Sequence, residues 1–235
     1  MNRAAALLLA LAACGGRRDI TYHWDDQRVF CSDSIDDIGN AEFNWHGIDA
    51  ELDYAADEGS VAIVHAHNPG QTVSLAAIER ILTDAEERGL TTVTFRQLED
   101  HTQHRGALAF AFDDSNPELW VTAQDLLAMH GAHITMFVTR WLELTDEQRA
   151  DIATMTAAGH DVQPHSVMHL NAVQYVADHG LDAYIADEVL PSFTPLEQLG
   201  YPPTTFAYPF GAHDDEIDAA VLQHVSRVRA VGNCP

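Results

Sequence analysis

From residue 61 onward the chain alternates short apolar runs with stretches of helical period, which restricts it to folds that wrap helices around a mostly parallel sheet. Residues 61–64 are rich in β-branched side chains, and 74–88 carry Leu75, Ile78, Ile81 and Leu82 at helical spacing with Gly89 placed to close the helix. Residues 92–95 and 107–112 read as strands, 119–130 as a helix stopped by Gly131, and 133–138 as a further strand. Thr145 and Gln148 have capping-box spacing for a helix that runs to Ala158, after which 161–163 is extended into Pro164. Residues 183–189 are expected to be helical, 205–208 extended, 215–225 helical and 227–231 a last strand. A chain of 235 residues with 46% hydrophobic content suits one α/β domain with a sizeable core.

Charge excludes one class of partner. Twelve basic side chains, all arginine, stand against 36 acidic ones for a formal charge of −24, so a phosphate backbone would be repelled and nucleic acid is not expected to bind. Such an acidic surface keeps a protein hydrated and suits a salty habitat; attraction to a cationic product is the narrower alternative.

At the N-terminus, Asn2 and Arg3 precede an apolar run over 4–13 that has export-signal length and is too short to span a bilayer. The run ends Leu11-Ala12-Ala13-Cys14-Gly15, which resembles a bacterial lipoprotein box. That resemblance implies that residues 1–13 are removed and that Cys14 carries lipid. The protein would then be exported and held at the envelope through a membrane anchor, with 14–30 as linker and 31–235 as a single catalytic domain. Cys31 and Cys234 then remain, either paired across the domain or as free thiols.

Chemistry in parallel α/β folds gathers at the C-terminal ends of strands. Asp113 and Asp114 end one apolar run, His165 and His169 follow another, and Tyr208-Pro209-Phe210-Gly211 follows a third. A carboxylate with two imidazoles outlines a metal site. The histidines, four apart, are expected on one face of a helical turn, and the second aspartate is free to act as a base. Each motif alone has a plainer reading: the aspartates as a strand-end turn or helix cap, the histidines as incidental in a chain that has 14 of them. Their joint placement at strand ends favours a site. His101, His104, His130 and His133 lack a matched carboxylate and read as surface residues.

Three ordered segments then carry a resemblance: Ala109-Phe110-Ala111-Phe112-Asp113-Asp114; Gly159-His160-Asp161-Val162-Gln163-Pro164-His165-Ser166-Val167-Met168-His169; and Phe206-Ala207-Tyr208-Pro209-Phe210-Gly211. They resemble motifs of the polysaccharide deacetylases, carbohydrate esterase family four, the NodB-homology domain. The resemblance implies a distorted (β/α)7-type barrel, a divalent metal (zinc first, with cobalt or nickel as alternatives), and hydrolysis of N-acetyl or occasionally O-acetyl groups on a glycan. Carried over position by position, it makes Asp113 the catalytic base, Asp114, His165 and His169 the metal ligands, and Ser166 a support for the histidine loop. The Tyr208-Pro209-Phe210-Gly211 turn would bind substrate, with the Phe210 N–H as oxyanion donor. Many members carry an arginine where this chain has Ala207, so another group must orient Asp113.

The family's general acid is a histidine on a late strand, downstream of those motifs. His213 and His224 do not fit that place. Upstream, Gly59-Ser60-Val61-Ala62-Ile63-Val64-His65-Ala66-His67-Asn68-Pro69 and the helix and strand after it look like the family's closing elements. The chain therefore reads as circularly permuted, residues 31–103 matching the family's C-terminal part and 104–235 its N-terminal part, with Cys31 and Cys234 flanking the opening. His67, nearer the strand end, is the first choice for the acid and His65 the second. Asp33, Asp36 and Asp37 are candidates for an aspartate that tunes it or plain loop acids, and Ile63 and Val64 either form an acetyl pocket or pack in the core. The expected substrate is an acetylated glycan: peptidoglycan, a chitin-like oligomer or poly-N-acetylglucosamine. One alternative is a catalytically silent glycan-binding lipoprotein that retains the fold; another is an acidic, histidine-rich metal buffer with several weak sites.

Overall fold

A computed structural model of the protein describes residues 21–41, 43–100 and 105–231. The signal-like segment, Cys14, His101, His104 and Cys234 lie outside the described residues. The strands are β1 (Thr21–Tyr22), β2 (Val29–Ser34), β3 (Val61–Ala66), β4 (Thr91–Val93), β5 (Ala107–Asp114), β6 (Thr135–Val138), β7 (Asp161–Pro164), β8 (Thr205–Ala207) and β9 (Arg227–Val231). Along the order β7-β6-β5-β3-β2-β9-β8 every neighbouring pair is parallel. Two short strands are added, β1 antiparallel on β3 and β4 parallel on β5.

The sheet curls into a nearly closed barrel whose seam lies between β7 and β8. Side chains bridge it. Gln163 Oε1 accepts from the Thr204 and Thr205 N–H groups at 2.9 and 3.1 Å, and His165 Nδ1 donates to the Ala207 carbonyl at 2.9 Å. Gln163 is fully buried, so the bridging amide is shielded from competing water.

Strand period sorts β5 into two faces. Ala107, Ala109 and Ala111 point into the barrel beside Phe30, Val61, Ile63, Phe95 and Phe137, and the small alanines leave room for those rings. Leu108, Phe110 and Phe112 pack outward with residues of the helices Trp45–Glu58 and Leu75–Glu87. Burying each such side chain stabilises the fold by about 1.5–3 kcal/mol. The same alternation carries the next inward position, Asp113, to the C-terminal mouth of the barrel. On β9, Val228 and Ala230 join the outer core. Arg229 lies on the opposite face, its guanidinium 4.9 Å from the Phe137 ring centre.

Several elements differ from expectation. The 92–95 strand stops at Val93 because Thr94 forms a capping box with Gln97 and starts a 3-10 turn over Phe95–Glu99. The expected 119–130 helix is broken into Pro117–Trp120, Val121–Ala123 and Gln124–Met129. The 183–189 helix is part of a longer run over Leu181–Tyr184, a π-helical turn at Ile185–Val189 and Leu190–Gln198. Pro191 is the second residue after the π turn, where the regular ladder is already interrupted and its missing N–H is tolerated. Ile63 and Val64 are buried on opposite faces of β3 in the two core clusters, as core packing requires.

Candidate active site

Asp113 ends its strand inside the barrel mouth and is buried with Arg229, whose Nη2 donates to Asp113 Oδ2 at 2.5 Å. Burial alone would raise this carboxyl. Together Arg229 first, then His165, His65 and His67 outweigh burial and hold Asp113 well below the usual carboxylate range. Its Oδ1 is buried with no hydrogen-bond partner among the described residues, so an ionised acceptor is left open. Asp114, the next residue, has φ 89°, a strained value that turns its carboxylate out of the β5 alternation and toward the histidine loop.

That loop leaves β7 without forming the helical turn expected for His165 and His169. Ser166 and His169 instead adopt left-handed φ values of 63° and 59°, which fold the loop back so that both rings meet Asp114. Side chains hold it there: Ser166 Oγ accepts from the His169 N–H at 3.0 Å, and Thr139 Oγ1 donates to the Ser166 carbonyl at 3.1 Å. Donating Nδ1–H to the Ala207 carbonyl leaves His165 Nε2 with its lone pair 3.9 Å from Asp114 Oδ1. Burial lowers the His165 pKa to about 4, so the ring is neutral at physiological pH. His169 Nε2 is 3.1 Å from Asp114 Oδ1 but lacks hydrogen-bond alignment, and that buried oxygen has no hydrogen-bond partner among the described residues.

One ligand atom from each of Asp114, His165 and His169 lies within 4.8 Å of the others. Two imidazole nitrogens and one open carboxylate oxygen, with one histidine oriented through its far nitrogen, fit a divalent cation with a coordination position to spare.

His67, just beyond β3, donates from Nδ1 to Asp36 Oδ2 at 2.5 Å and from its backbone N–H to Asp36 Oδ1 at 3.1 Å. Thr72 Oγ1 donates to the same Oδ1 at 2.7 Å. Burial opposes a charge on His67, but Asp36 first, then Asp113 and Asp114, raise its pKa to about 9; Asp36 in turn is lowered to about 2 despite its burial. Of the three aspartates considered, Asp36 is thus the partner of His67, while Asp37 caps the helix at Ser74 with two 2.7 Å bonds. His65 lies deeper, hydrogen-bonded to Ser32 Oγ at 2.9 Å and lowered to about 3 by burial and by Arg229.

Ligand-type atoms of His65, His67 and Asp113 also approach within 4.8 Å of one another. Arg229 on Asp113 makes this second trio a poor cation site and a good place for an acid beside a base.

In the turn after β8, Phe210 has φ 60° and Gly211 φ 64°. A Cβ on Gly211 would collide with Val231 Cγ2 and sit 2.5 Å from Val231 N, so only glycine lets the turn lie against β9. Phe210 is 65% exposed, and its ring centre lies 4.7 Å from that of His169. Tyr208 points away into the outer core and stacks on His213 at 5.6 Å, which leaves Phe210 and the turn's backbone as the part of this motif that faces the site.

The "Polysaccharide deacetylase" family model matches residues 100–227, more than half of the chain. The chain belongs to the polysaccharide deacetylase family. Solved structures share its nearly closed (β/α) barrel. A de-N-acetylase from Aggregatibacter actinomycetemcomitans aligns with TM-score 0.64 and 14% identity over 74% of this chain and 88% of that one. IcaB from Ammonifex degensii aligns with TM-score 0.60 and 21% identity over 76% and 87%. The Streptococcus pyogenes deacetylase PplD, solved in complex with acetate, aligns with TM-score 0.56 and 18% identity over 74% and 92%. No curated protein matches the sequence.

Within this polysaccharide deacetylase, the group that replaces an arginine at Ala207 is Arg229, which sequence reasoning missed. Its signal is faint but readable: Arg227-Val228-Arg229 puts two cations at alternate positions of an otherwise apolar strand in a chain with only 12. Two inward-pointing charges on a barrel strand require buried partners.

Proposed function

We propose that this chain removes acetyl groups from a glycan, N-acetyl first and O-acetyl as a variant, using a divalent metal held by Asp114, His165 and His169. The observation that carries the reading is the pairing of an ionised base with a protonated acid across one small gap. Asp113 is kept ionised by Arg229, and within 4.8 Å of it His67 keeps its proton through Asp36. Bound in that cradle, zinc (or cobalt or nickel) supplies Lewis acidity toward the acetyl carbonyl and acidifies water. Asp113 takes the proton of the attacking water, while Arg229 fixes which oxygen is free to do so. His67 gives its proton to the departing amine nitrogen, or to the alkoxide of an O-acetyl ester. The Phe210 N–H, on the rim beside His169, stabilises the oxyanion.

Two departures made a silent binding protein attractive, the alanine at 207 and the displaced acid. Both are met by side chains, Arg229 and the His67–Asp36 pair, so the enzymatic reading is favoured. Permutation is supported by strand order: β2, β3, β5, β6, β7, β8 and β9 follow one another around the ring, and β9 pairs back onto β2. Export and lipid anchoring at the bacterial envelope rest on the Leu11-Ala12-Ala13-Cys14-Gly15 segment. The disulfide at Cys31 also favours an oxidising compartment. There, peptidoglycan, chitin-like oligomers and poly-N-acetylglucosamine are the substrates to test. Purified protein with zinc or cobalt is expected to release acetate from at least one of them; a metal-loaded protein that releases none overturns the proposal.

A further inference from the structure

Beyond the side-chain braces already described, one residue holds the two middle amides of the histidine loop. Glu188 Oε2 accepts from the Met168 N–H at 2.9 Å, and the Glu188 backbone carbonyl accepts from the Val167 N–H at 3.1 Å. On the loop's other side the Arg140 N–H donates to the Val167 carbonyl at 3.0 Å. Glu188 is only 3% exposed, and among the described residues no cationic side chain forms an ion pair with it. A buried acid with no cation beside it is uncommon, and here its oxygen is tied instead to a backbone amide of the loop.

Glu188 also sits in the π turn Ile185–Val189, the one interruption of a helical run that continues on both sides. Such turns displace a carbonyl from the regular ladder and recur at functional sites. Here the carbonyl and the side chain of one residue in the turn grip consecutive amides. The loop they grip carries two left-handed residues, Ser166 and His169, which cost about 1–3 kcal/mol each and persist only when their surroundings over-determine them.

We propose that Glu188 is a positioning residue for the metal site: its carboxylate and carbonyl clamp the Met168 and Val167 amides and thereby set the spacing of His165 and His169. This rests on the reading of those histidines as ligands. The clamp works through reach, because the side chain must span from the π turn to the Met168 N–H. Its charge is not what positions the loop.

The test is titration of the full chain with zinc and with cobalt against a competing chelator, together with the visible absorption of bound cobalt. Glu188→Gln keeps the reach and an acceptor oxygen, and its affinity stays within about threefold of wild type. Glu188→Asp keeps the carboxyl group but is one methylene short, and Glu188→Ala has no acceptor; each weakens metal binding about 10–100-fold and shifts the cobalt bands. If the alanine variant does not fold, the glutamine and aspartate variants decide between them. Equal affinities and spectra in those two, or loss in the glutamine variant alone, overturn the proposal. A wild-type chain that binds neither ion overturns instead the assignment of Asp114, His165 and His169.

Discussion

Replacing Asp36 by asparagine should convert this enzyme from one that works in mild alkali to one that does not. The new amide keeps an acceptor oxygen for the His67 N–H and for Thr72 Oγ1, so the loop is retained, but the carboxylate that binds the His67 ring proton is gone. His67 then falls from about 9 toward its ordinary 6.5. A full return to 6.5 corresponds to about 3 kcal/mol of preference for the charged ring, an upper bound because Asp113 and Asp114 still favour the charge and the side chain is 32% exposed. At pH 8 about nine-tenths of wild-type His67 holds its proton, against about one-thirtieth in the variant, so kcat/KM falls about 30-fold there and by less than about twofold at pH 6. Stability gives an independent check. A raised histidine pKa contributes stability that is complete below 6.5 and lost as pH rises through about 9, so wild-type Tm should decline across that window more than the variant's. The assay is the pH dependence of kcat/KM by acetate release. An alkaline limb that stays in place would refute His67 as the acid and Asp36 as its partner.

Other perturbations probe the remaining parts. Arg229→Met leaves Asp113 buried and uncompensated, and should cost about 3–5 kcal/mol in urea unfolding while raising the acid limb of the rate profile; an unchanged limb would mean that Arg229 does not tune the base. His165→Ala should weaken zinc or cobalt binding at least about 100-fold in a chelator competition, whereas several weak sites that survive it would favour a metal buffer. Gly211→Ala drives a methyl into Val231 and should lower stability by about 1–3 kcal/mol together with activity, and a wild-type melting curve would show that the turn has room to move.

Those residues differ in how readily they could be read from sequence. β5 was legible because its alternation is local: small inward alanines, large outward residues, and two aspartates at its end. His67 was legible because its strand is local too, yet its partner Asp36 could only be narrowed to three acids, since pairing across 31 residues depends on how β2 and β3 align. β2 itself escaped notice because Ser32, Asp33 and Ser34 give it no apolar signature, even though Ser32 is buried in the barrel. The helix Trp45–Glu58 did carry a signal in Ile48, Leu52 and Ala55, diluted by the acids between them. The histidine loop defeats periodicity altogether. Four-residue spacing suggests a helical turn, but Ser166 and His169 sit in a backbone region that no pattern of side chains announces. Arg229 is tertiary in origin, joined to Asp113 from 116 positions away.

The central claim is that Asp113 acts as a base beside a metal that it does not itself hold. The most direct measurement is acetate release from an N-acetylglucosamine oligomer or peptidoglycan by zinc-loaded wild type and Asp113→Asn, with bound zinc determined on the same samples. The account predicts one tightly bound zinc per chain in both proteins and a rate at least about 100-fold lower in the variant. Equal rates with equal zinc would contradict it.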